Sequence, residues 1–152
     1  MKGVIKKKIW PHLIDEAFLV LYSMAATFSY NKTEKLKSRK MLNLLFEEGK
    51  SFSVFPVKIF YLPMQKEGKQ MIKVGVGVSA RNFKKAVDRN RIKRLLRECY
   101  RLNKLLLQFT KTNNQQPMAV FFLYIGKELP EYGILNEKMK TALNKLEEII
   151  VR

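Results

Sequence analysis

The order of apolar and polar residues in the first half of the chain predicts one helix followed by strands. Apolar residues recur at helical spacing from Leu36 to Phe46, and the segment ends at Gly49, a frequent helix stop. Residues 57–62 and 71–79 are rich in β-branched and aromatic side chains, which is typical of strands. A polar stretch separates these two segments, and the pattern predicts that they pair as a hairpin, with two or three strands in this half.

A second helix is predicted from Asp88, which stands where an N-cap belongs, to about Phe109. On a helical wheel its apolar residues fall within roughly 120°, which predicts a core-facing stripe, and a separate arc of roughly 140° carries cations around one asparagine. The stripe holds Ile92, Leu95, Leu96, Cys99, Leu102 and Leu106, and the second arc holds Arg89, Asn90, Lys93, Arg94, Arg97, Arg101 and Lys104.

This cationic face predicts an anionic partner. Like charges four residues apart repel one another by a few tenths of a kcal/mol per pair, and a bound polyanion relieves that repulsion. The positive end of the helix dipole adds to the attraction at the first turn. A solvated basic face without a partner is the alternative interpretation.

The second half of the chain predicts a strand and a closing helix. Residues 118–125 are too apolar for anything but a buried strand, and apolar residues recur at helical spacing from Leu135 to Ile150. In the strand at 71–79, Gly75 and Gly77 leave one face bare, so that another group can approach the backbone there. The fold class is therefore α+β, an α-β sandwich with a strand-helix-strand unit around the basic helix.

Composition points to nucleic acid as the partner. The 152 residues include 30 Lys and Arg against 13 Asp and Glu, which gives a net charge of +17 and a pI near 10.1. Release of counterions from phosphates is a general source of affinity for such a protein. Cys99 is the only cysteine, which excludes an internal disulfide and fits a reducing cytoplasm, and we expect a cytoplasmic protein.

Residues 1–30 form an extension of different character from the domain predicted at 31–152. Three lysines at 6–8 precede an apolar run at 17–26, as in a secretory signal, but acidic residues stand just before the run and it is too short to span a bilayer. We therefore expect no membrane partner. Met24 offers an alternative translation start, in which case residues 1–23 are dispensable.

The chain shows no catalytic constellation of its own. Its only histidine, His12, lies in the N-terminal extension, so hydrolase schemes and metal sites based on histidine have no support. The acidic residues are dispersed, and a phosphate-binding glycine loop is absent. The pattern predicts a binding protein whose chemistry lies elsewhere, with no cofactor or metal held by the protein itself.

The basic segment resembles the signature of a known family. Val78-Ser79, followed by Lys84-Lys85-Ala86-Val87 and by Arg89-Asn90-Arg91-Ile92-Lys93-Arg94, is similar to the motif of the bacterial ribonuclease P protein component. The resemblance extends from about Lys35 to the C-terminus. It implies a mostly antiparallel central sheet and a left-handed β-α-β crossover that carries the basic helix, a handedness opposite to the usual rule.

The resemblance also implies a function. In that family a catalytic RNA subunit removes the 5′ leader of precursor tRNA with Mg²⁺, which acts through the RNA, and the protein binds both RNAs. Carried onto this chain, the residues in contact with RNA are Arg89, Asn90, Arg91, Lys93, Arg94, Arg97, Lys84, Lys85 and Arg81, and the cleft for the single-stranded leader is lined by Phe46, Lys58 and Phe60.

The chain departs from the family pattern at a few positions. These departures weaken the assignment of residues to the leader cleft more than they weaken the match to the family. Ala80-Arg81 stands where the family commonly has two lysines, and Leu42 stands where the first helix commonly has a cleft aromatic. Ordinary core packing is the alternative interpretation of Phe46 and Phe60. A ribosomal or RNA-chaperone protein is the alternative function, whereas a DNA-binding zipper is excluded because a polar stretch after Phe109 stops the heptads.

Overall fold

A computed structural model of the protein describes residues 29–65, 72–108 and 116–151. The predicted extension, up to residue 28, lies outside the described residues. Within these ranges no helix is both long and apolar enough to cross a membrane. The elements are a 3-10 turn at Lys32–Glu34, helix α1 at Arg39–Glu48, strands β1 at Lys50–Val54, β2 at Val57–Pro63 and β3 at Ile72–Val78, helices α2 at Ala86–Asn103 and α3 at Leu105–Gln108, strand β4 at Met118–Tyr124 and helix α4 at Tyr132–Val151.

The four described strands form one sheet in the order β1-β2-β4-β3. β1 pairs with β2 and β2 with β4 in antiparallel register, whereas β3 and β4 are parallel. The mostly antiparallel α+β fold is therefore confirmed, but the predicted hairpin of residues 57–62 with 71–79 is wrong. β4 lies between β2 and β3 instead. Its sequence is almost wholly apolar, and a strand with both faces covered belongs at the centre of a sheet.

The hairpin of this region is formed instead by β1 and β2. A tight turn with a cis Phe55-Pro56 peptide joins the two strands and brings Val54 opposite Val57. The sequence pattern predicted two or three strands in this half of the chain, and β1 is the third. Its sequence alternates apolar residues with serines, which gives Phe52 and Val54 to the core and leaves Ser51 and Ser53 exposed.

Helices cover the two faces of the sheet unequally. Alternate residues of β2 and β4 point to the face that carries α2 and α4, where most of the buried side chains lie. Of the described helices, α1 alone lies on the other face, with a smaller cluster around Leu45 and Ala119. The larger core includes Val57, Ile59, Val74, Ile92, Leu96, Val120, Phe122, Leu135, Met139 and Leu143.

Val74 fixes the handedness of the β3-α2-β4 unit. Its side chain lies in the core with α2, whereas its carbonyl oxygen accepts hydrogen bonds from Leu36 N (2.9 Å) and Tyr30 Oη (2.6 Å), on the side away from β4. Viewed from the helix with β3 running upward, the carbonyl of an L-residue that faces the viewer lies on the right, so β4 lies on the left. The crossover is therefore left-handed, as the resemblance implied, against the usual rule.

The ends of α2 differ from the prediction. The helix begins at Ala86 after the extended Lys85, so the assignment of Asp88 as N-cap is wrong, although its carboxylate lies in the first turn where the helix dipole favours negative charge. The helix ends at Asn103, and α3 replaces the predicted continuation to Phe109. Ile92, Leu96 and Cys99 of the predicted stripe are fully buried, whereas Leu102 is 39% exposed.

Lys104, at the end of α2, is buried, so its assignment to the cationic face is wrong. Its ammonium donates to both carboxylate oxygens of Glu34, at 3.0 and 3.2 Å, and to the carbonyl of Ser29 at 2.5 Å. The side chain at this position points into the protein and not to solvent. A buried cation is stable only with hydrogen-bonding and anionic partners of this kind. This pair connects the first described residues to the end of the basic helix.

Candidate RNA-binding surface

The solvent face of α2 presents cations and one amide, and no other described element covers it. Asn90, Arg91, Arg94 and Arg97 are exposed and Lys93 is half-buried. The apolar stripe packs on the sheet and thereby orients this face outward. The structure thus places five of the predicted RNA-binding residues together on one helix.

The segment before α2 adds three exposed cations, Arg81, Lys84 and Lys85. Its position is fixed by Asn82, whose amide donates to the carbonyls of Ile125 (3.2 Å) and Gly126 (3.1 Å). The adjacent Phe83 is buried, with its ring centroid 5.9 Å from that of Tyr124. Sequence reasoning missed Asn82 and Phe83, because nothing in a single sequence shows that a loop residue is anchored to a distant turn.

Arg89 differs from its neighbours because its side chain turns back to the loop. One guanidinium nitrogen donates to the carbonyls of Phe83 (2.8 Å) and Lys84 (2.6 Å), and the side chain is half-buried. These bonds fix the angle at which the loop enters the helix. Arg89 is therefore a positioning residue as well as a cation of the surface.

Arg101 is paired within the helix. Its guanidinium makes two bonds to the Glu98 carboxylate, at 2.9 and 2.6 Å, and these bonds hold the pKa of Glu98 below its ordinary value. An ionised partner cancels much of the charge of Arg101. The cationic surface thus ends about one turn before Arg101.

Three phenylalanines form a second surface on the opposite face of the sheet. The ring centroid of Phe46, on α1, lies 5.0 Å from that of Phe60 on β2 and 5.1 Å from that of Phe121 on β4. The Lys58 ammonium lies 5.1 Å from the centroid of the Phe60 ring. We call these four residues the aromatic patch. The structure thus brings together the three residues predicted for the leader cleft and adds Phe121. The sequence does not single out Phe121, because all its neighbours in residues 118–125 are apolar as well.

Exposure distinguishes the aromatic patch from ordinary core. Phe46 is 46% exposed, and Phe60 and Phe121 are partly buried against the smaller cluster. Leu42 also packs there. A half-exposed phenylalanine beside an ammonium is a suitable surface for unpaired bases.

Two glycines of β3 shape the aromatic patch. A Cβ atom at Gly75 would lie 2.7 Å from a ring carbon of Phe121, and one at Gly77 would lie 2.6 Å from another. The Phe121 ring therefore rests directly on the bare backbone of β3. The bare face predicted from the two glycines is confirmed, and a ring of the chain itself makes the close approach.

The described residues contain no group of three or more His, Cys, Asp or Glu side chains that could hold a metal ion. Cys99 is fully buried, and burial raises the pKa of its thiol to about 11, which makes it a poor nucleophile. The surfaces described above are suited to binding.

Comparison with known proteins assigns the family. The family model described as Ribonuclease P matches residues 30–147. The chain belongs to this family. A ribonuclease P protein component from Porphyromonas gingivalis is 36% identical over 121 residues, which are 80% of this chain and 88% of that protein, and one from Chlorobium phaeobacteroides is 32% identical over 129 residues, 78% and 88% of the two chains.

Solved structures of ribonuclease P proteins share the fold. The RNase P protein from Thermotoga maritima superposes with a TM-score of 0.58 and 24% identity over 74% of this chain and 96% of that one. The protein from Staphylococcus aureus gives a TM-score of 0.50 and 16% identity, with 80% and 100% covered. The ribonuclease P family and its fold, predicted from the basic motif, are both confirmed.

Proposed function

We propose that this chain is the protein subunit of ribonuclease P, which binds the catalytic RNA and the 5′ leader of precursor tRNA and thereby promotes removal of the leader. The observation that carries this proposal is the exposed cationic face of α2 with the loop before it, in a chain that belongs to the family. Cations fixed on a rigid helix can neutralise several phosphates at once.

The residues proposed to bind the catalytic RNA are on α2 and its preceding loop. Asn90, Arg91, Lys93, Arg94 and Arg97 face solvent on the helix, and Arg89 both contributes charge and holds the loop. Arg81, Lys84 and Lys85 extend the surface along the chain. Guanidinium groups suit this role because each can make two hydrogen bonds to one phosphate.

The aromatic patch is proposed to bind the leader. Stacking of bases on Phe46 and Phe60 tolerates any sequence and contributes about 1–3 kcal/mol per base, and Lys58 supplies a cation for the backbone. This patch and α2 lie on opposite faces of the sheet, so the protein can bind both RNAs at the same time.

Hydrolysis is assigned to the RNA subunit, with Mg²⁺ bound to that RNA. The protein contributes affinity, alignment and screening of phosphate repulsion. A cytoplasmic location, and RNA rather than DNA or a membrane as the partner, belong to the same proposal.

Cleavage of a leader-bearing precursor tRNA by a bacterial-type catalytic RNA at low Mg²⁺ tests the function. We expect little cleavage by the RNA alone and strong stimulation by the protein, which the double variant Arg91→Ala with Arg94→Ala loses. The double variant Lys138→Ala with Lys145→Ala, which removes two exposed cations of α4, is the matched control and should stimulate normally. Binding of RNA without any stimulation would contradict the proposal and favour a ribosomal or chaperone role.

Binding of precursor and mature tRNA separates the two surfaces. Phe60→Ala should lower the affinity of the holoenzyme for leader-bearing precursor by about 5- to 150-fold, which corresponds to one stacked base, and leave mature tRNA unaffected. Equal losses for both substrates would mean that Phe60 serves packing alone.

A further inference from the structure

A second basic surface lies away from α2, in a groove that is built from three parts of the fold. Its volume is about 600 Å³. The start of α1 and the residues before it line one part of the groove, the end of β2 around Pro63 lines another, and β3 contributes Lys73. None of the RNA-binding or leader-cleft residues predicted from the sequence lines this groove.

The lining of the groove combines apolar side chains with ammonium groups. Leu36 and Met64 are buried in the smaller cluster, and Met41 packs against that cluster, so these three side chains form an apolar floor. The described residues that line the groove include no acidic side chain. The carboxylate of Glu34, which is close along the chain, is paired with Lys104. The lysines of the lining are Lys35, Lys37, Lys40 and Lys73.

The number of cations indicates the kind of anion that the groove suits. An internal phosphodiester of RNA carries one negative charge, whereas a terminal phosphate monoester carries about −1.5 to −2 at pH 7. Four lysines around so small a space therefore match a terminal phosphate better than one internal linkage. The first turn of α1 adds to the attraction, since the helix begins after Ser38, which lines the groove.

The groove continues the aromatic patch along the same face of the sheet. Phe60 and Phe121 of the patch pack against the cluster that contains Met64 of the groove. Phe60 and Pro63 are three residues apart on β2, a distance of about 10 Å along a strand. An RNA strand that stacks on the patch can therefore reach the groove within a few nucleotides.

The sheet topology indicates which end of a leader reaches the groove. Pro63 and Ile72 pair with the same residue of β4, so the groove lies at that end of the strands. The loop before α2 follows Val78, at the opposite end. The catalytic RNA, which holds the junction of leader and tRNA, is proposed to bind α2 and this loop. The 3′ end of the leader therefore points to the loop, and its 5′ end points to the groove.

We propose that this groove binds the terminal phosphate at the 5′ end of a short leader, an inference that rests on the proposed function. The exposed Lys37 and Lys40 bind the phosphate, and Leu36 and Met41 pack against the terminal nucleoside. The protein thereby recognises the length and the phosphorylated end of a leader, in addition to the bases that stack on the aromatic patch.

Equilibrium binding of precursor tRNA to the holoenzyme tests this groove. Precursors with one leader sequence are prepared at a series of leader lengths, each with a 5′-hydroxyl or a 5′-monophosphate. We expect the phosphate to raise affinity by about tenfold at a short leader length, because its bonds to ammonium groups are charge-assisted. It should have little effect on long leaders, whose ends pass beyond the groove.

The double variant Lys37→Ala with Lys40→Ala should remove the difference between the two precursors at that length. It should weaken binding of the 5′-hydroxyl precursor far less. The double variant Lys138→Ala with Lys145→Ala removes two exposed cations outside the groove and should retain the difference. Urea unfolding establishes that both double variants are folded.

Two outcomes of the binding series overturn the groove proposal. Equal affinity for the two precursors at every leader length shows that the groove does not bind the terminal phosphate. Equal losses of both precursors in the variant of Lys37 and Lys40 show that these lysines bind internal phosphates instead.

A free nucleotide is the other source of a terminal phosphate. Adenosine 5′-monophosphate that binds the protein through Lys37 and Lys40, while the leader phosphate has no effect, would assign the groove to a small molecule and overturn the proposal for the leader. Failure of the proposed function is distinct from all of these outcomes, because the 5′-hydroxyl precursor would then bind no more tightly than mature tRNA.

Discussion

Single residues decide the form of both candidate surfaces. Gly75 and Gly77 let the Phe121 ring lie against β3, and Arg89 holds the loop that enters α2. The glycines were visible in the sequence because their alternation in a strand marks a bare face. The role of Arg89 was not, because its two carbonyl partners depend on how the loop folds back.

The first prediction concerns the bare face of β3. Gly77→Ala should lower the free energy of unfolding by about 1–3 kcal/mol, because the new methyl group meets the Phe121 ring at 2.6 Å and forces it to move. Gly133→Ala is the control, since nothing lies within 4 Å of a Cβ at that position, and it should not destabilise the protein. Urea unfolding measures both, and equal stability of the two variants would mean that the ring moves freely.

The second prediction concerns the thiol of Cys99. Burial raises its pKa to about 11, so we expect almost no reaction with a thiol reagent at pH 8 in the folded protein and rapid reaction in urea. The thiol stays protonated until the pH approaches the folded-state value, and the stability linked to it falls as the pH rises from the unfolded value to about 11. Fast labelling of the folded protein would contradict the burial of Cys99.

At the scale of elements, periodicity predicted the helices well and strand pairing poorly. α1 ends at Glu48 with Gly49 as its C-cap, and α2 buries the central part of its predicted stripe, because a helix satisfies its hydrogen bonds locally. The pairing of β2 with β4 joins segments some sixty residues apart, which local pattern does not encode. The same limit explains Lys104, whose partners at the start of the described chain are distant in sequence.

The third prediction concerns the link between the 3-10 turn and α2. Lys104→Met should lower the free energy of unfolding by about 3–5 kcal/mol, because it leaves the Glu34 carboxylate buried without its cation. Lys140→Met removes an exposed pair with Glu137 and should cost at most about 1 kcal/mol. Chemical unfolding compares the variants.

A double variant checks the cause of that loss. Adding Glu34→Gln to Lys104→Met should recover part of the lost stability, since no buried charge then remains. Additive losses in the double variant would show that the ion pair is not the source of the effect.

At the scale of the whole molecule, the excess of positive charge is the dominant property. A net charge of +17 makes the protein repel itself, and α2 concentrates that repulsion on one side. The net charge depends on composition alone, and from it the sequence predicts a nucleic-acid partner. The environment of each cation on and after α2, with Arg101 and Lys104 paired to carboxylates and Arg91, Arg94 and Arg97 exposed, required the structure.

The fourth prediction follows from this repulsion. In the absence of RNA, the melting temperature should rise as NaCl increases from low to physiological concentration, because salt screens the like charges of the folded state. Removal of two cations by Arg91→Ala and Arg94→Ala should reduce the rise. Calorimetry at matched pH measures both, and a melting temperature that falls with added salt would contradict the dominance of repulsion.

The position of β4 in the sheet has a consequence for synthesis of the protein. Among the described strands, β3 pairs with β4 alone, and β4 is the last of them to be translated, so the ribosome must complete residue 124 before this sheet can close. Until then the apolar face of α2 can pack on β3, but it lacks β4 and α4, which complete the same core. Force measurements on stalled nascent chains should therefore detect folding only after Tyr124 has left the exit tunnel, and an earlier signal would show that the hairpin and α2 fold without the central strand.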